Sequence, residues 1–314
     1  MSIAITGANG YIGRVLANHL VANGDEVIAW MRSGSKTPPV PVPGLLRLAT
    51  SPDGAPDPAA LNGCSTLIHL AGRAHNFHAP DADAELFEWS NHLLAIKTAQ
   101  AAVDAGVTRF IQISTVSVHG NWSAEPICER SPIRSFTPYA ASKWAAEQSL
   151  SSLCSSAGME LCIVRPPLVY GPNCPGNFVR LVRLVQSGWP LPLRSLDARR
   201  SFIHVHNLVD FISHVARQST QELSPVYVIA DGSDWEMPDL IRAMARELDV
   251  SARLLPFSPR LLRILAGLVG REREIDSITR SLIVDWTEAR VGGMWTPPLN
   301  HNDAFLSTMR SHIR

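Results

Sequence analysis

The chain has 314 residues, enough for one large or two closely associated domains, and its 46% hydrophobic and 18% charged residues are ordinary for a globular enzyme. Its 28 basic residues balance its 28 acidic residues, so it lacks the positive charge of a general nucleic-acid binder. Five scattered cysteines without CxxC spacing, together with an N-terminus that shows no signal sequence, indicate reduced thiols and a cytoplasmic protein. The apolar stretch at 260–270 is too short to span a bilayer, so we expect a buried or amphipathic helix there and no membrane insertion.

The first half of the chain alternates short apolar runs with helical patterns. The apolar runs predict strands at 2–6, 26–31, 65–72, 109–114 and 159–166, and the helical patterns predict helices at 11–23, 86–106 and 139–156. A proline-rich stretch at 33–44 is expected to form an ordered surface loop. Beyond Arg165 the pattern loosens into short helices and isolated strands such as 225–230. The alternation predicts an α/β fold, in which helices cover both faces of a parallel sheet.

A glycine-rich turn, TGANGYIG (6–13), joins the first predicted strand to the first predicted helix. Gly7, Gly10 and Gly13 would allow a tight turn, close approach of the backbone to a pyrophosphate, and close packing of helix on strand. Their spacing is GxxGxxG and not GxGxxG, and a purely structural turn is the alternative reading. The position directly after the first strand favours a cofactor site on a Rossmann-type doubly wound sheet. The remaining candidate cofactor contacts in this loop are Asn9, Tyr11 and Ile12.

The end of the second predicted strand bears on the choice of cofactor. NAD-preferring enzymes usually place an acid there to bind the ribose 2′-hydroxyl, but this strand ends in Arg32 and Ser33. Its only acids, Asp25 and Glu26, lie at its start. Arg32 and Ser33, with Lys36 nearby, could instead bind a 2′-phosphate, although a solvated arginine is the alternative. The pattern favours NADP(H) and leaves NAD(H) open.

The stretch TPYAASKWAAEQ (137–148) places a tyrosine four residues ahead of a lysine at a predicted helix start. At that spacing Tyr139 and Lys143 share one helical face. They are either a surface pair or a proton donor with the cation that tunes it, because a nearby lysine and a positive nicotinamide ring would both lower the phenol pKa. A strand-end hydroxyl, Thr115 with Ser114 beside it, would orient the substrate oxygen. A tyrosine and a lysine at this spacing often occur by chance. The pair therefore indicates catalysis only in combination with the glycine loop and this hydroxyl.

Together these motifs resemble the short-chain dehydrogenase/reductase superfamily, and more specifically its extended branch of sugar-nucleotide epimerases, dehydratases and reductases. RPPLVYGP (165–172) and RSFIHVHNLVD (200–210) are similar to signatures of that branch, and the resemblance covers nearly the whole chain. It implies that Thr115, Tyr139 and Lys143 carry the chemistry. It also implies cofactor contacts from Leu70, Ala71, Gly72, Asn91, Tyr139, Lys143, Pro166 and Val169.

The residues that follow Thr115 reduce the number of reactions that the site could catalyse. The dehydratases of the branch carry an Asp-Glu pair there, whereas this chain has Val116 and Ser117, so dehydration is disfavoured. The segments 176–210 and 281–298 resemble bacterial reductases of UDP-4-keto-6-deoxy-N-acetylhexosamines in O-antigen synthesis, although Gly293-Met294-Trp295 departs from their Leu-Gly-Trp. We therefore expect an NAD(P)H-dependent 4-ketoreductase. A 4-epimerase with tightly bound NAD is the close alternative, and a non-catalytic NADP-binding protein is the remote one.

The same resemblance implies where a UDP-sugar would bind. Asn177 and Arg200 would contact the diphosphate, and Leu191 to Leu193 would line the uracil pocket. Further sugar contacts are expected from Ser114, Thr115 and His75. The neighbouring His204 and His206 lack further ligands, so no metal site is predicted.

The resemblance also implies a domain division and an assembly. Residues 1–168, joined by about 202–231, would form the cofactor domain, and 169–201 with 232–314 would form an interleaved substrate domain. A homodimer is expected through the two long helices, 86–106 and 139–156.

Overall fold

The structure, a computed structural model, describes residues 1–34, 46–73, 80–219, 221–268 and 272–312. Its strands are β1 (Ser2–Thr6), β2 (Glu26–Arg32), β3 (Leu46–Ser51), β4 (Thr66–His69), β5 (Arg109–Ile113), β6 (Glu160–Arg165), β7 (Leu168–Tyr170), β8 (Arg199–His204), β9 (Val226–Val228) and β10 (Asp234–Glu236). Its α-helices are α1 (Tyr11–Ala22), α2 (Pro80–Phe87), α3 (Leu94–Asp104), α4 (Pro138–Ala157), α5 (Asn177–Gln186), α6 (Val205–Arg217), α7 (Met237–Glu247), α8 (Pro259–Leu268), α9 (Glu272–Thr279) and α10 (His301–Arg310). Short 3₁₀ and π-helical turns span Pro58–Leu61, Glu88–Leu93, Val116–His119 and Glu288–Gly292.

Seven parallel strands form the main sheet in the order β3-β2-β1-β4-β5-β6-β9, which confirms the predicted Rossmann-type α/β fold. The chain moves outward from β1 to β3, returns to β4 on the other side of β1, and continues to β9. The order of the strands therefore reverses between β1 and β4. Open α/β sheets bind ligands in the crevice at the carboxyl ends of the strands beside such a switch point.

Apolar side chains on both faces of the sheet explain why its strands read as continuous hydrophobic runs. Ile3 and Ile5 of β1 point into a cluster that includes residues from α1 and α6. Ala4, between them, points into a second cluster on the opposite face, with residues from α3 and α4. Successive strand residues alternate between faces, so helices must cover both faces to bury them.

Several boundaries differ from the sequence prediction. The edge strand β3 was not predicted, and β4 ends at His69, so Leu70 to Gly72 lie in the following turn. The long helix predicted at 86–106 begins at Pro80 and contains the π-helical turn Glu88–Leu93. Most of the loop predicted at 33–44 lies outside the described residues. Within the described ranges, no helix is long and apolar enough to cross a membrane.

A smaller sheet and a separate apolar cluster lie beyond β6 in the chain. Strands β7 and β8 pair in parallel and β10 pairs antiparallel to β8. The cluster contains buried side chains of α5, α7 and α10, including Phe178, Leu240 and Phe305. The domain boundaries expected at 168, 201 and 231 remain a prediction.

Met294 has a backbone conformation that normally favours glycine. Its φ is 49°. Because the residue is 63% exposed, removing its side chain eliminates few packing contacts. The left-handed region costs a residue with a side chain about 1–2 kcal/mol. We expect Met294→Gly to raise the free energy of unfolding by about 0.5–1 kcal/mol in urea titrations, because the relief exceeds the extra entropy of an unfolded glycine. Val291→Gly, a similarly exposed position in the turn Glu288–Gly292, should lower it, and a loss of stability in both variants would contradict the argument.

Candidate active site

A pocket of about 460 Å³ runs along the carboxyl edge of the main sheet, from the glycine loop at one end to Arg200 at the other. Among the described residues that line it are Gly7, Gly10, Tyr11, Ile12, Gly13, Leu70, Gly72, Arg73, Ser114, Thr115, Tyr139, Lys143, Pro166, Val169, Asn177 and Arg200. Its charged lining residues are Arg73, Lys143 and Arg200, so the described lining is cationic. A cationic, elongated pocket suits ligands that carry phosphates.

The glycine loop has the geometry that a dinucleotide phosphate requires. Gly7 has φ of 69°, and a Cβ there would lie 2.7 Å from the backbone nitrogen of Ala71. A Cβ at Gly13 would lie 2.2 Å from the carbonyl oxygen of Gly7, so α1 packs against the loop only without a side chain. Gly10 is the N-cap of α1 and has no side chain to cap the helix, so the free N–H groups of the first turn are available to an anion. These residues fit the pyrophosphate of NAD(P).

Asn91 fixes the turn that follows β4. Its Oδ1 accepts from the backbone N–H of Arg73 at 2.8 Å, and its Nδ2 donates to the Arg73 carbonyl at 3.1 Å and to Ser142 Oγ at 3.0 Å. A Cβ at Gly72 would lie 2.6 Å from Asn91 Oδ1 and 3.4 Å from Lys143 Nζ. The asparagine therefore acts from below the pocket and is not itself among the lining residues. The π-helical turn that contains it is of a kind often found at functional sites.

Tyr139, Lys143 and Thr115 converge in the middle of the pocket. Thr137 caps α4 by accepting from Ala140 N at 3.1 Å, and Pro138 is the first residue of the helix. Tyr139 and Lys143 therefore lie one turn apart on the same face at the start of α4. Tyr139 is hydrogen-bonded to the Thr115 side chain. Thr115 Oγ1 accepts from Ser117 N at 3.2 Å, so its own proton can point towards the pocket. Lys143 Nζ donates to the Ile113 carbonyl at 2.9 Å.

Burial sets the charge of both groups in the protein itself. Burial raises the pKa of Tyr139 to about 12, and the hydrogen bond from Thr115 lowers that pKa only in part. Burial also lowers the pKa of Lys143 to about 8, while the Glu147 carboxylate raises it. Near pH 7 the pair is therefore a neutral phenol and an ammonium. Burial therefore opposes the lowering of the tyrosine pKa expected from the sequence, and the positive ring of an oxidised nicotinamide would have to add to the effect of Lys143.

At the far end of the pocket, Arg200 is a cation held among carbonyl groups. Its guanidinium donates to the Asn121 carbonyl at 3.4 Å and the Arg280 carbonyl at 3.2 Å, and burial lowers its pKa to about 10. No carboxylate of the described residues forms an ion pair with it. The N-terminus of α5, with Gly176 as N-cap and Asn177 as first residue, lines the same end of the pocket. A half-buried arginine and an uncapped helix N-terminus both favour an anion between them.

Some residues proposed from the sequence lie elsewhere. Leu191 and Leu193 are buried in the apolar cluster with α5, α7 and α10 and are not among the pocket-lining residues. Arg32 and Ser33 are exposed at the end of β2. Asn9 lies within the glycine loop and Ala71 lies beside Gly7, but neither is among the pocket-lining residues. His75 lies outside the described residues, as do Lys36 and His78.

Two charged residues near the site were missed in the sequence. Arg73 lines the pocket because Asn91 holds its backbone, and no motif signals it. Glu147 lies behind the pocket, and its spacing of four from Lys143 was the available signal.

A parallel sheet with a glycine loop at its switch point, beside a tyrosine–lysine pair that lines the same pocket, defines a dinucleotide-dependent oxidoreductase. The family model for the NAD dependent epimerase/dehydratase family matches residues 3–230. UDP-glucose 4-epimerase of Vibrio cholerae is 29% identical over 319 aligned residues, which cover 100% of this chain and 96% of that protein. Ceramide reductase of Caulobacter vibrioides is 30% identical over 262 residues, or 81% of this chain and 72% of that protein.

A solved structure of MoeE5 in complex with UDP-glucuronic acid and NAD has the same fold, with a TM-score of 0.80, 24% identity and 99% of each chain covered. The chain belongs to the NAD dependent epimerase/dehydratase family, the extended branch of the short-chain dehydrogenases/reductases. It is an oxidoreductase of this family of sugar-nucleotide epimerases, dehydratases and reductases.

Proposed function

We propose that the protein uses NAD(P)H to reduce the C4 keto group of a UDP-4-keto-6-deoxy-N-acetylhexosamine, a step in the synthesis of surface polysaccharide precursors. The observation that carries the proposal is the Thr115–Tyr139–Lys143 arrangement in a pocket that joins a cofactor loop to an anion-binding end. Val116 and Ser117, which line the pocket beyond Thr115, provide no acid for an elimination. The site therefore favours proton and hydride exchange at a carbonyl carbon over dehydration.

In this mechanism the protein positions the carbonyl and supplies a proton. Bound NAD(P)H supplies the hydride. Thr115 donates its hydroxyl proton to the sugar oxygen and so holds it beside Tyr139, which gives that oxygen its phenolic proton as negative charge develops there. Lys143 remains cationic and stabilises the phenolate that results. Reduction begins with a protonated phenol, which is the form that Tyr139 has in the protein itself.

The nucleotide end of the substrate would occupy the Arg200 end of the pocket. Its diphosphate would bind between the Arg200 guanidinium and the N-terminus of α5, beside Asn177. Leu168 and Leu282, together with Val116, add apolar surface to the pocket wall. An apolar wall fits the methyl group of a 6-deoxy sugar better than a carboxylate.

A 4-epimerase is the second candidate, supported by the end-to-end similarity to UDP-glucose 4-epimerase of Vibrio cholerae. One experiment separates the two functions. Purified protein is incubated with NADPH and UDP-4-keto-6-deoxy-N-acetylglucosamine, and absorbance is followed at 340 nm. Loss of NADPH in step with product supports the reductase. No loss of NADPH, with interconversion of UDP-N-acetylglucosamine and UDP-N-acetylgalactosamine under NAD, would replace it with the epimerase.

For the cofactor we propose NADP(H), on the basis of Arg32 at the end of β2. Removing a charge-assisted contact to the 2′-phosphate should cost about 1.5–3 kcal/mol. We expect Arg32→Ala to lower the ratio of kcat/KM for NADPH to that for NADH by roughly 10- to 150-fold. Arg47→Ala, an exposed arginine on the neighbouring strand β3, is the matched control and should keep the ratio. An unchanged ratio in Arg32→Ala would leave the NADP(H) preference without support.

We further propose that the protein is a homodimer. Along the helical segment from Pro80 to Asp104, the apolar side chains of Leu86, Trp89 and Leu93 are about 40% exposed. Their spacing of three and four places them on one side of the helix, as an interface with a second copy would require. Light scattering of the purified protein measures its molecular mass and so distinguishes a dimer from a monomer.

A further inference from the structure

Directly behind the tyrosine–lysine pair lies a group of buried polar side chains that the mechanism above does not use. Glu147 is 2% exposed and Arg165 is 4% exposed, and Ser114 and His119 are equally buried. Arg165 Nε donates to both carboxylate oxygens of Glu147 at 3.2 Å, and Arg165 Nη2 donates to the same carboxylate. Ser114 Oγ donates to Glu147 Oε1. The four side chains form one connected network.

Donor and acceptor chemistry fixes every bond in this network. Arginine can only donate, so His119 Nε2, 3.0 Å from Arg165 Nη1, must accept. The histidine proton is then on Nδ1, which donates to the Pro132 carbonyl at 3.3 Å. Burial and the Arg165 charge both lower the pKa of His119, which keeps it in this neutral form. Ser114 donates to the carboxylate, so only its lone pairs remain for any other partner.

The network joins three elements at the place where the chemistry occurs. Tyr139, Lys143 and Glu147 follow one another at intervals of four on α4 and so share a face of the helix. Ser114 precedes Thr115 at the end of β5, and Arg165 precedes Pro166 at the end of β6. Backbone bonds from Ser114 N to the Val164 carbonyl, 2.8 Å, and from Val116 N to the Pro166 carbonyl, 3.0 Å, tie the two strand ends together.

Stability alone does not account for such a network. Apolar side chains of similar volume at the same positions are often as stable as a buried ion pair, because the ions lose their hydration. What a fully bonded ionic network adds is a fixed geometry. Reacting groups require this, since an error of about 1 Å in position can lower a rate by about 10²-fold.

We propose that Glu147 is a positioning residue, which holds Ser114 and Arg165 and thereby fixes Thr115 at its hydrogen-bonding distance from Tyr139. The inference rests on the proposed function only for its catalytic readout. The same strands contain a matched comparison, because Arg109 and Glu160 form an ion pair at their opposite, amino ends, with Nε–Oε2 of 2.8 Å. The Arg109–Glu160 pair joins β5 to β6, and the Glu147–Arg165 pair joins α4 to β6. Only the second pair is next to pocket-lining residues, because Ser114 bonds to Glu147 and Pro166 follows Arg165.

The test compares Glu147→Gln, Ser114→Ala and Glu160→Gln in the full-length protein. Glu147→Gln and Ser114→Ala should each lower kcat by about 10²-fold with KM changed by less than about twofold. Because Ser114 acts through its bond to Glu147, the double variant should be no slower than the slower single variant. Glu160→Gln should lower the melting temperature and leave kcat unchanged. Should Glu147→Gln fail to fold, Ser114→Ala removes the same bond and leaves the ion pair in place.

Three outcomes would overturn the proposal. Wild-type kcat in Ser114→Ala means that the bond positions nothing, and a raised KM with normal kcat means that Ser114 contacts substrate directly. Equal losses of kcat in Glu160→Gln and Glu147→Gln mean a general effect of stability. Hydrogen–deuterium exchange of residues 113–120 gives a readout without substrate, and it should rise in Glu147→Gln and Ser114→Ala but not in Glu160→Gln. If wild-type protein turns over neither candidate substrate, the proposed function fails, and this exchange pattern still decides the role of Glu147.

Discussion

Replacement of Tyr139 by phenylalanine is expected to lower turnover by about 10²- to 10⁴-fold, which is the usual contribution of a positioned proton donor. The variant keeps the ring, which packs edge-on against Phe87 with centroids 5.9 Å apart, and removes only the hydroxyl bonded to Thr115. The proposed reduction of a keto sugar then lacks the proton that must reach the C4 oxygen. The measurement is NADPH consumption at 340 nm under saturating cofactor, together with the cofactor Kd by fluorescence.

The matched control for this prediction is Tyr227→Phe. Tyr227 is a fully buried tyrosine on β9, and its hydroxyl bonds to Ser224 N at 2.9 Å and Gln218 Oε1 at 3.3 Å, away from the pocket. Its loss should cost about 1 kcal/mol of stability and leave turnover unchanged. Undiminished turnover in Tyr139→Phe, with wild-type cofactor affinity, would falsify the assignment of Tyr139 as the proton donor.

Replacement of Arg200 by methionine should weaken binding of UDP by about 2–3 kcal/mol, or roughly 30- to 150-fold in Kd. The guanidinium is the half-buried cation at the end of the pocket proposed to bind the nucleotide, and its present partners are two backbone carbonyls. Burial lowers its pKa to about 10, which means that its charge is costly in the free protein. The variant should therefore bind UDP poorly without a lower melting temperature, since the aliphatic stem is retained.

Arg199→Met is the matched control for the diphosphate site. Arg199 precedes Arg200 on β8, is exposed, and lies 3.6 Å from the Asp234 carboxylate. Calorimetric titration with UDP should give this control a wild-type Kd. Wild-type affinity for UDP in Arg200→Met would remove Arg200 from the binding site, and equal weakening in both variants would indicate only a general change of surface charge.

Most of the fold could be read from the sequence because its central strands are buried on both faces and α4 has a clear N-cap. Strand β1 matches the prediction at both ends, and α4 begins one residue before the predicted start, where Thr137 caps it. The edge strand β3 could not be read, because its sequence LRLATS is half polar and largely exposed, and only pairing with β2 makes it a strand. The π-helical turn at Glu88–Leu93 also has no local signature, since buried bonds of Asn91 to Arg73 and Ser142 hold it.

The residues of the candidate site likewise fall into those that the sequence could predict and those that it could not. The glycine loop and the Tyr139–Lys143 pair are local motifs, so the spacing of residues along the chain was sufficient to find them. Arg73 and Glu147 act through partners 18 residues away in each case, Asn91 for the first and Arg165 for the second. No pattern in a single stretch of sequence marks such contacts.

The two neighbouring hydroxyls at the end of β5 show the limit of what the sequence alone could predict. By itself it determined that a serine and a threonine stand side by side ahead of a tyrosine–lysine helix, and that no acid follows them. Only the tertiary structure shows which partner each hydroxyl has, because adjacent residues of an extended chain point to opposite sides. Thr115, with φ of −160° and ψ of 147°, bonds to Tyr139, while the Ser114 proton goes to Glu147 behind the pocket.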